Sequence, residues 1–200
     1  MEKRIVLPGD VVSDAGKRMD GCYVQNGKTF VSVVSMLQDD KVVPLKGKYL
    51  PLSGDYVVGI VSEERFSGFT IDLNSPYEGQ LSSRDLRDPV RVEDVLFIKI
   101  NFVDEVNNPV LSEPRRLYGG QIIEIEPTKV PRVIGRNSSM VTMISDYTGT
   151  EIFVGKNGRL YIKGENPGVA IEAILKICRE SHTSGLTDRI KQFLENSTKR

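Results

Sequence analysis

Short apolar runs separated by turn residues fill the first part of the chain, a pattern that predicts β-strands rather than helices. The segments Tyr23–Gln25 and Thr29–Val34 flank Asn26-Gly27, which favours a two-residue hairpin turn because both residues tolerate a positive φ. No segment before residue 52 has helical periodicity. We therefore expect residues 1–52 to form a small β domain that carries no chemical motif.

Residues 53–117 contain a second series of strands. Alternation in the segment 96–103 predicts Ile98, Ile100 and Phe102 on one face. One helical turn is expected over residues 82–86, before the fourth strand. The five predicted strands are 55–61, 68–73, 77–81, 96–103 and 110–112. Five short strands with such an insert fit a small closed barrel of the OB type.

Residues 118–200 mix helices and strands, which predicts an α+β domain. A strand over 120–126 precedes a helix from Met140, with Ser138 or Ser139 as the expected N-cap and Gly149 at its end. Two short strands between 151 and 163 form a hairpin with Asn-Gly at its tip. A longer helix begins after Asn166 and is interrupted at Gly185.

The charge distribution tells more than the net charge of zero, which comes from 27 basic and 27 acidic residues. Residues 1–52 carry 8 basic and 6 acidic side chains, residues 53–114 carry 5 and 12, and residues 115–200 carry 14 and 9. A nonspecific polyanion binder is disfavoured. Broad attraction to phosphate is expected only in the last third, and contacts in the acidic middle would be local.

Composition predicts a cytoplasmic protein that does not associate with membranes. No apolar run is long enough to cross a bilayer, and the first ten residues have no apolar signal core. The two cysteines, Cys22 and Cys178, lie far apart in the sequence and are expected to be free thiols.

The middle region resembles an S1 domain. Four segments carry this resemblance in the expected order: Gly54–Val61, Gly68–Leu73, Gly79–Leu81 and Leu111-Ser112. An S1 domain is an OB barrel, so the resemblance agrees with the strand pattern.

The last region resembles a KH domain, through Val133–Ser138, Thr148–Ile152 and Leu160–Gly164. A KH loop reads Gly-x-x-Gly and clamps the RNA backbone by close approach of its main chain. Here the loop is Gly135-Arg136-Asn137-Ser138, and Ser138 places a side chain where glycine would admit a phosphate. The sequence leaves open whether this loop contacts RNA.

A further motif, Gly155-Lys156-Asn157-Gly158, looks like the Gly-x-Asn-Gly motif of exosome cap subunits. With an N-terminal β domain, an S1 domain and a KH domain in this order, the chain resembles the archaeal exosome cap subunit of the ribosomal RNA-processing protein four type. We expect the motif to be structural, in contact with the S1-like or the N-terminal domain, rather than an RNA clamp.

The resemblance implies a non-catalytic role. Three cap copies sit on a ring of two alternating RNase PH-like subunits, which degrades RNA from its 3′ end. The cap binds single-stranded RNA and guides the 3′ end through a pore lined by the S1 barrels, and the N-terminal domain anchors it to the ring.

Binding of single-stranded RNA needs stacking faces beside cations. The candidate stacking residues are Phe66, Phe69 and Tyr77, although a small barrel would also bury such side chains in its core. The candidate phosphate-binding residues are Arg65, Arg84 and Arg87 in the barrel and Lys129, Arg132 and Arg136 near the Gly135 loop. Ordinary surface ion pairs are the alternative for the barrel arginines, and a solvated basic face is the alternative for the others.

The sequence contains little that supports a catalytic role. The single histidine, His182, has no partner at metal-ligand spacing, and no nucleophile elbow, phosphate-binding loop or dinucleotide fingerprint is present. We expect neither metal nor cofactor. Two alternatives are a transcription elongation factor with S1 and KH domains, which carries tandem KH domains, and a stand-alone nuclease. The zinc-ribbon type of exosome cap is excluded because paired cysteines are missing.

Overall fold

The computed structural model describes residues 3–17, 19, 21–38, 41–45, 47–86, 88–181, 183 and 185–198. It divides into two compact units, Met1–Lys48 and Tyr49–Arg200. Among the described residues, no helix is long and apolar enough to span a membrane.

The first unit consists of two small antiparallel sheets. Its strands are β1 (Lys3–Val6), β2 (Val11–Ser13), β3 (Cys22–Gln25), β4 (Lys28–Val31), β5 (Ser35–Gln38) and β6 (Lys41–Pro44). One sheet has the order β1-β5-β6 and the other β2-β4-β3. The predicted hairpin joins β3 to β4, with Asn26 and Gly27 both at positive φ.

The second unit begins with a closed five-stranded barrel, which confirms the predicted OB-type fold. Its strands are β7 (Tyr56–Arg65), β8 (Gly68–Asp72), β9 (Gly79–Ser82), β10 (Val95–Val103) and β11 (Pro109–Leu117). The barrel closes because β11 pairs in parallel with β9 and antiparallel with β10. A single 3-10 turn, Ser83–Asp85, lies where one helical turn was predicted.

The alternation predicted for β10 is interrupted at Phe102. Ile98 and Ile100 are fully buried in the barrel, but Phe102 is 49% exposed. The register with β11 shifts between Ile100 and Phe102. A β-bulge of this kind reverses the inside–outside pattern of the residues that follow it, so the prediction for Phe102 was wrong.

The last part of the chain is an α+β domain, as predicted. Its elements are β12 (Gln121–Glu124), α1 (Val130–Ile134), α2 (Ser139–Thr148), β13 (Thr150–Val154), β14 (Arg159–Gly164), α3 (Pro167–Glu180) and α4 (Leu186–Thr198). The sheet order is β12-β14-β13. Gly149 ends α2 in a left-handed conformation, with its N–H donating to the Ser145 carbonyl. Ser138 occupies the N-cap position of α2, but its side chain makes no capping hydrogen bond.

The barrel core extends slightly beyond the predicted boundary at residue 52. Tyr49 is buried among the barrel's core side chains, and its hydroxyl donates to Asp55 Oδ2 at 2.7 Å. The other predicted boundary, near residue 117, falls between β11 and β12 inside the second unit. The division into three domains stays a prediction.

Candidate nucleic-acid interface

Both faces of the sheet in the α+β domain bear apolar side chains. Leu160 and Ile162 on β14 pack against the helices, whereas Tyr161 between them joins a cluster with Val58 and Leu117 of the barrel. Successive side chains of a strand point to opposite faces, so β14 contributes to both cores. Four partly buried side chains surround the cluster: Val95, Phe97, Ile122 and Phe153.

Asn157 lies in the turn between β13 and β14 and is completely buried. Its Nδ2 donates to the carbonyl oxygens of Val58 at 2.8 Å and Leu73 at 2.9 Å. Its Oδ1 accepts from the Val58 N–H at 3.3 Å. The carboxamide thus satisfies barrel backbone groups that burial would otherwise leave without partners. The Gly155–Gly158 motif therefore contacts the barrel, one of its two expected neighbours.

Both glycines of this turn are required by close approach of other backbone atoms. A Cβ on Gly155 would lie 2.6 Å from the Val58 nitrogen. Gly158 has a φ of +82°, and a Cβ there would lie 2.3 Å from the Ile125 carbonyl oxygen. Only glycine combines this φ with so short an approach.

Arg159 follows the turn and links the two domains through ion pairs. Its guanidinium donates to Asp72 Oδ2 at 2.8 Å, to the Asp72 carbonyl at 2.9 Å and to Glu124 Oε1 at 2.8 Å. Burial alone would raise the pKa of Asp72, but hydrogen bonds from Arg159 and the Asn74 N–H outweigh it and lower that pKa. Burial likewise opposes the charge of Arg159, yet hydrogen bonds to Glu124 and Asp72 raise its pKa above the ordinary value.

Sequence reasoning missed this ion pair. Asp72 and Arg159 are 87 positions apart, and nothing in the local pattern of either strand marks them as partners. The signal that could have found them is their setting: Asp72 lies in the S1-like segment Gly68–Leu73, and Arg159 directly follows the glycine motif.

The hairpin between β7 and β8 presents the most accessible of the predicted RNA-binding side chains. Phe66 lies at its tip and is fully exposed. Arg65 is adjacent and forms an ion pair with Glu63 at 2.8 Å, in which both side chains are more than half exposed. An exposed pair of this kind contributes little to stability, so the guanidinium remains available to another anion.

Phe69 fits the alternative stated for the aromatic candidates, burial in the barrel core. It is only 8% exposed and belongs to the barrel core, because a small barrel fills its interior with large apolar side chains. Phe69 is among the residues that line an open cavity of about 280 Å³, together with Arg65, Gln80 and Val110. A role of Phe69 in RNA binding stays a prediction.

The remaining barrel candidates are scattered. Tyr77 is partly buried, and Arg84 is exposed in the 3-10 turn that follows β9. Arg87 lies outside the described residues. The structure thus brings Arg65 and Phe66 together at one hairpin, with Arg84 on a neighbouring connection.

The three basic candidates near the Gly135 loop differ in their surroundings. Arg132 and Arg136 are exposed around Gly135, but Lys129 Nζ donates to Ser181 Oγ at 2.9 Å, at the end of α3. Ser138 has a φ of +61°. This left-handed conformation costs a serine about 1–2 kcal/mol.

No group of three or more histidine, cysteine, aspartate or glutamate side chains that could hold a metal ion occurs in the described part of the chain. His182 lies outside that part. Cys178 is a free thiol.

Comparison with known proteins identifies the family. A KH domain model matches residues 120–168, from the start of β12 to the start of α3. The protein named exosome complex component Rrp4 from Thermofilum pendens is 39% identical, over 97% of this chain and 93% of the relative. The chain belongs to the Rrp4 family. The Rrp4 protein of Methanosarcina barkeri is also 39% identical, over 98% of this chain and 83% of its own.

A solved structure supports the same conclusion for the Rrp4 fold. It is described as the "Crystal structure of putative exosome complex RNA-binding protein" and is 34% identical to this chain. It matches with a TM-score of 0.70, covering 76% of this chain and 98% of that one. The fold class and the family predicted from the sequence are thereby confirmed.

Proposed function

We propose that this Rrp4-family chain is a non-catalytic cap subunit of an exosome. It binds single-stranded RNA and guides the 3′ end to a ring of two RNase PH-like subunits, with three cap copies on each ring. The names of its relatives support the exosome part of this proposal. The RNA-binding part is supported by the description of the similar crystal structure.

The observation that carries the proposal is Phe66 at the tip of the β7–β8 hairpin. An exposed phenylalanine lacks the stabilisation of about 1.5–3 kcal/mol that its burial would contribute. Phe66 is fully exposed and so has no packing role in this chain. Its ring can stack on a base, for a gain of about 1–3 kcal/mol per base. Arg65 beside it supplies a cation for the phosphate.

The acidic character of the barrel fits a surface over which RNA moves. Residues 53–114 carry 12 acidic and 5 basic side chains. A polyanion is repelled by this surface as a whole, so RNA would be held at local sites such as the one formed by Arg65, Phe66 and Arg84. Contacts that are few and local release RNA quickly, as a pore through which RNA slides requires.

The N-terminal unit has features of a surface that docks on a partner. Several large apolar side chains are more than a third exposed: Ile5, Leu7, Val11, Tyr23, Val24, Val34 and Leu45. Exposed apolar patches mark protein–protein contacts, and these side chains are the candidates for such a contact in this unit of 48 residues. We assign the ring as that partner.

The test is RNA decay by the reconstituted complex. Wild-type chain and the Arg65→Glu/Arg84→Glu variant are each assembled with the two ring subunits, and degradation of single-stranded RNA is timed. The variant should assemble normally and degrade RNA several-fold more slowly. Lys191→Glu, on the exposed side of α4, is the control and should leave the rate unchanged. Decay at the wild-type rate by the assembled double variant would exclude the hairpin as the RNA contact.

The partner is tested separately, by affinity purification of the tagged chain from native lysate followed by mass spectrometry. Two RNase PH-like subunits in near-equal amounts are the expected result. Recovery of RNA polymerase in their place would favour the elongation-factor alternative.

A further inference from the structure

A row of aromatic rings crosses the surface where the barrel meets the KH domain. Tyr56 on β7 stacks on Phe97 of β10, with ring centroids 5.4 Å apart and planes 16° from parallel. Phe97 in turn contacts Phe153 of β13, at a centroid distance of 5.2 Å. The rings therefore continue from one domain to the other without a break.

Cations lie over the rings of this row. Lys99 Nζ is 5.8 Å from the centroid of Tyr56, and the guanidinium carbon of Arg115 is 4.7 Å from that of Phe153. A third pair adjoins them: Lys163 Nζ is 4.4 Å from the ring of Tyr118. We call these seven residues the aromatic–cationic row: Tyr56, Phe97, Lys99, Arg115, Tyr118, Phe153 and Lys163.

The third pair is joined to the others through Glu151. This residue accepts from Arg115 at 3.1 Å and lies opposite Lys163 in the register of β13 and β14. Both side chains of the Arg115–Glu151 pair are more than half exposed. Tyr118 is 72% exposed. Tyr118, Tyr56 and Arg115 are thus exposed to solvent, whereas Phe97 and Phe153 are partly buried and connect the row to the junction between the domains.

A strained backbone position adjoins the row. Glu113 has a φ of +53° within β11, next to the register shift opposite Phe97 and Lys99. Its carboxylate accepts from Lys99 Nζ at 3.1 Å. A non-glycine residue at such a φ costs about 1–3 kcal/mol. Bulges of this kind redirect side chains, and here Glu113 holds Lys99 beside Tyr56.

We propose that the aromatic–cationic row is a second contact surface for single-stranded RNA, separate from the β7–β8 hairpin. This inference rests on the proposed function, since it presupposes that the chain binds RNA. Bases stack on exposed rings and on guanidinium planes, while neighbouring cations neutralise the phosphates. The row places three cations and four rings side by side. Four of its seven members, Arg115, Tyr118, Phe153 and Lys163, lie in residues 115–200, where basic residues outnumber acidic ones by 14 to 9.

Glu113 and Glu151 do not oppose this assignment. Every side chain in these two ion pairs is about one-third exposed or more, so the pairs are weak and a phosphate can replace either carboxylate as the partner of its cation. Arginine forms paired hydrogen bonds with phosphate as readily as with carboxylate. Because Arg115 already lies over Phe153, little additional side-chain ordering is needed when RNA arrives.

The row occupies a different side of the barrel from the strands on which OB folds commonly bind oligonucleotides. Those are the second and third strands, here β8 and β9. The row uses β7, β10 and β11, followed by β13 and β14 of the KH domain. RNA bound there would contact both domains at once, and the fixed junction between them would keep its path continuous.

The test is RNA affinity of the full chain, measured by fluorescence anisotropy with a labelled oligouridylate of about 16 nucleotides, the upper site size of one OB fold. Arg115→Glu/Lys163→Glu should weaken binding at least about tenfold and make it less salt-dependent. The matched control is Arg179→Glu/Lys191→Glu, which makes the same charge change on exposed positions of α3 and α4. It should remain within about twofold of wild type, the range expected of a surface change.

A second variant removes stacking without changing the charge. Tyr118→Ala alters a largely exposed side chain, so the fold is retained, and affinity should fall at least about fivefold. The row would not be an RNA contact if the Tyr118 and the Arg115/Lys163 variants both kept wild-type RNA affinity while Phe66→Ala lost it. That result would leave the proposed function intact. No RNA binding by the wild-type chain would instead contradict the proposed function. If these variants keep their RNA affinity but lose a subunit that co-purifies with the wild-type chain, the row binds a protein partner instead.

Discussion

The side chain of Asn157 bonds to both backbone groups of Val58, donating to its carbonyl at 2.8 Å and accepting from its N–H at 3.3 Å. This is the pattern by which a strand residue meets its hydrogen-bonded partner in an antiparallel ladder. One carboxamide therefore continues the barrel's hydrogen bonding into the KH domain, and it does so in a fully buried position.

Replacing Asn157 should destabilise the folded chain. Asn157→Ala leaves the N–H and carbonyl of Val58 and the carbonyl of Leu73 buried without a partner, which should lower the free energy of unfolding by about 2–3 kcal/mol. Urea denaturation measures this loss. Lys156→Ala is the control, since its side chain is exposed and its bond to the Tyr56 carbonyl comes from the backbone. Equal urea midpoints for the two variants would refute the role given to Asn157.

Gly155→Ala should also destabilise the chain. Its methyl group would lie 2.6 Å from the Val58 nitrogen, so the turn must move away from the barrel. We expect a loss of about 1–3 kcal/mol, typical of an overpacked contact. Gly168→Ala, at the start of α3 where an added Cβ meets no atom within 4 Å, should cause no loss. Comparable stability of the two alanine variants by thermal denaturation would contradict the close approach.

The chain should become less stable in acid because Asp72 is then protonated. Its pKa in the folded chain is lowered, so the folded state favours the charged form. The resulting stabilisation is present above the unfolded pKa of about 3.9 and is lost as the pH falls through the folded value. The thermal midpoint should therefore decrease below about pH 4.

The share of this acid dependence that belongs to Asp72 is isolated by substitution. Asp72→Asn should be less stable near neutral pH and show a smaller further decrease in acid. Asp146→Asn, an exposed change on α2, should retain the wild-type profile. If the acid decrease is as large in Asp72→Asn as in wild type, other groups cause it.

Phe66 and Phe69 are three residues apart, yet their replacement should have opposite consequences. Phe69→Ala opens a cavity in the barrel core and should cost about 3–5 kcal/mol. Phe66→Ala removes a fully exposed ring and should change stability by less than about 0.5 kcal/mol. Urea denaturation of both variants checks this contrast, which fails if the two losses are similar.

Local signals predicted the elements, because each depends on a few neighbouring residues. The turn at Asn26-Gly27, the end of α2 at Gly149 and the start of α3 at Pro167 all lie where the sequence indicates. Their determinants are the φ preferences of asparagine and glycine and the fixed φ of proline, which do not depend on tertiary contacts.

Side-chain environments were predicted less well, because they depend on distant parts of the chain. The bulge that turns Phe102 outward arises from its pairing with β11 and leaves no mark in the alternation of β10. Phe69 and Phe66 both follow polar or small residues, and only closure of the barrel separates them. The contacts of Asn157 join positions 99 apart, so the motif indicated a turn but not its burial.

The way β14 serves two cores has a consequence for folding. If the barrel and the KH domain were separated, Val58 and Leu117 would be exposed on one fragment and Tyr161 on the other, each with unsatisfied backbone groups nearby. Small domains bury too little surface to tolerate such losses easily. Residues 49–200 should therefore melt as one cooperative unit, with a single heat-capacity peak whose calorimetric and van't Hoff enthalpies agree.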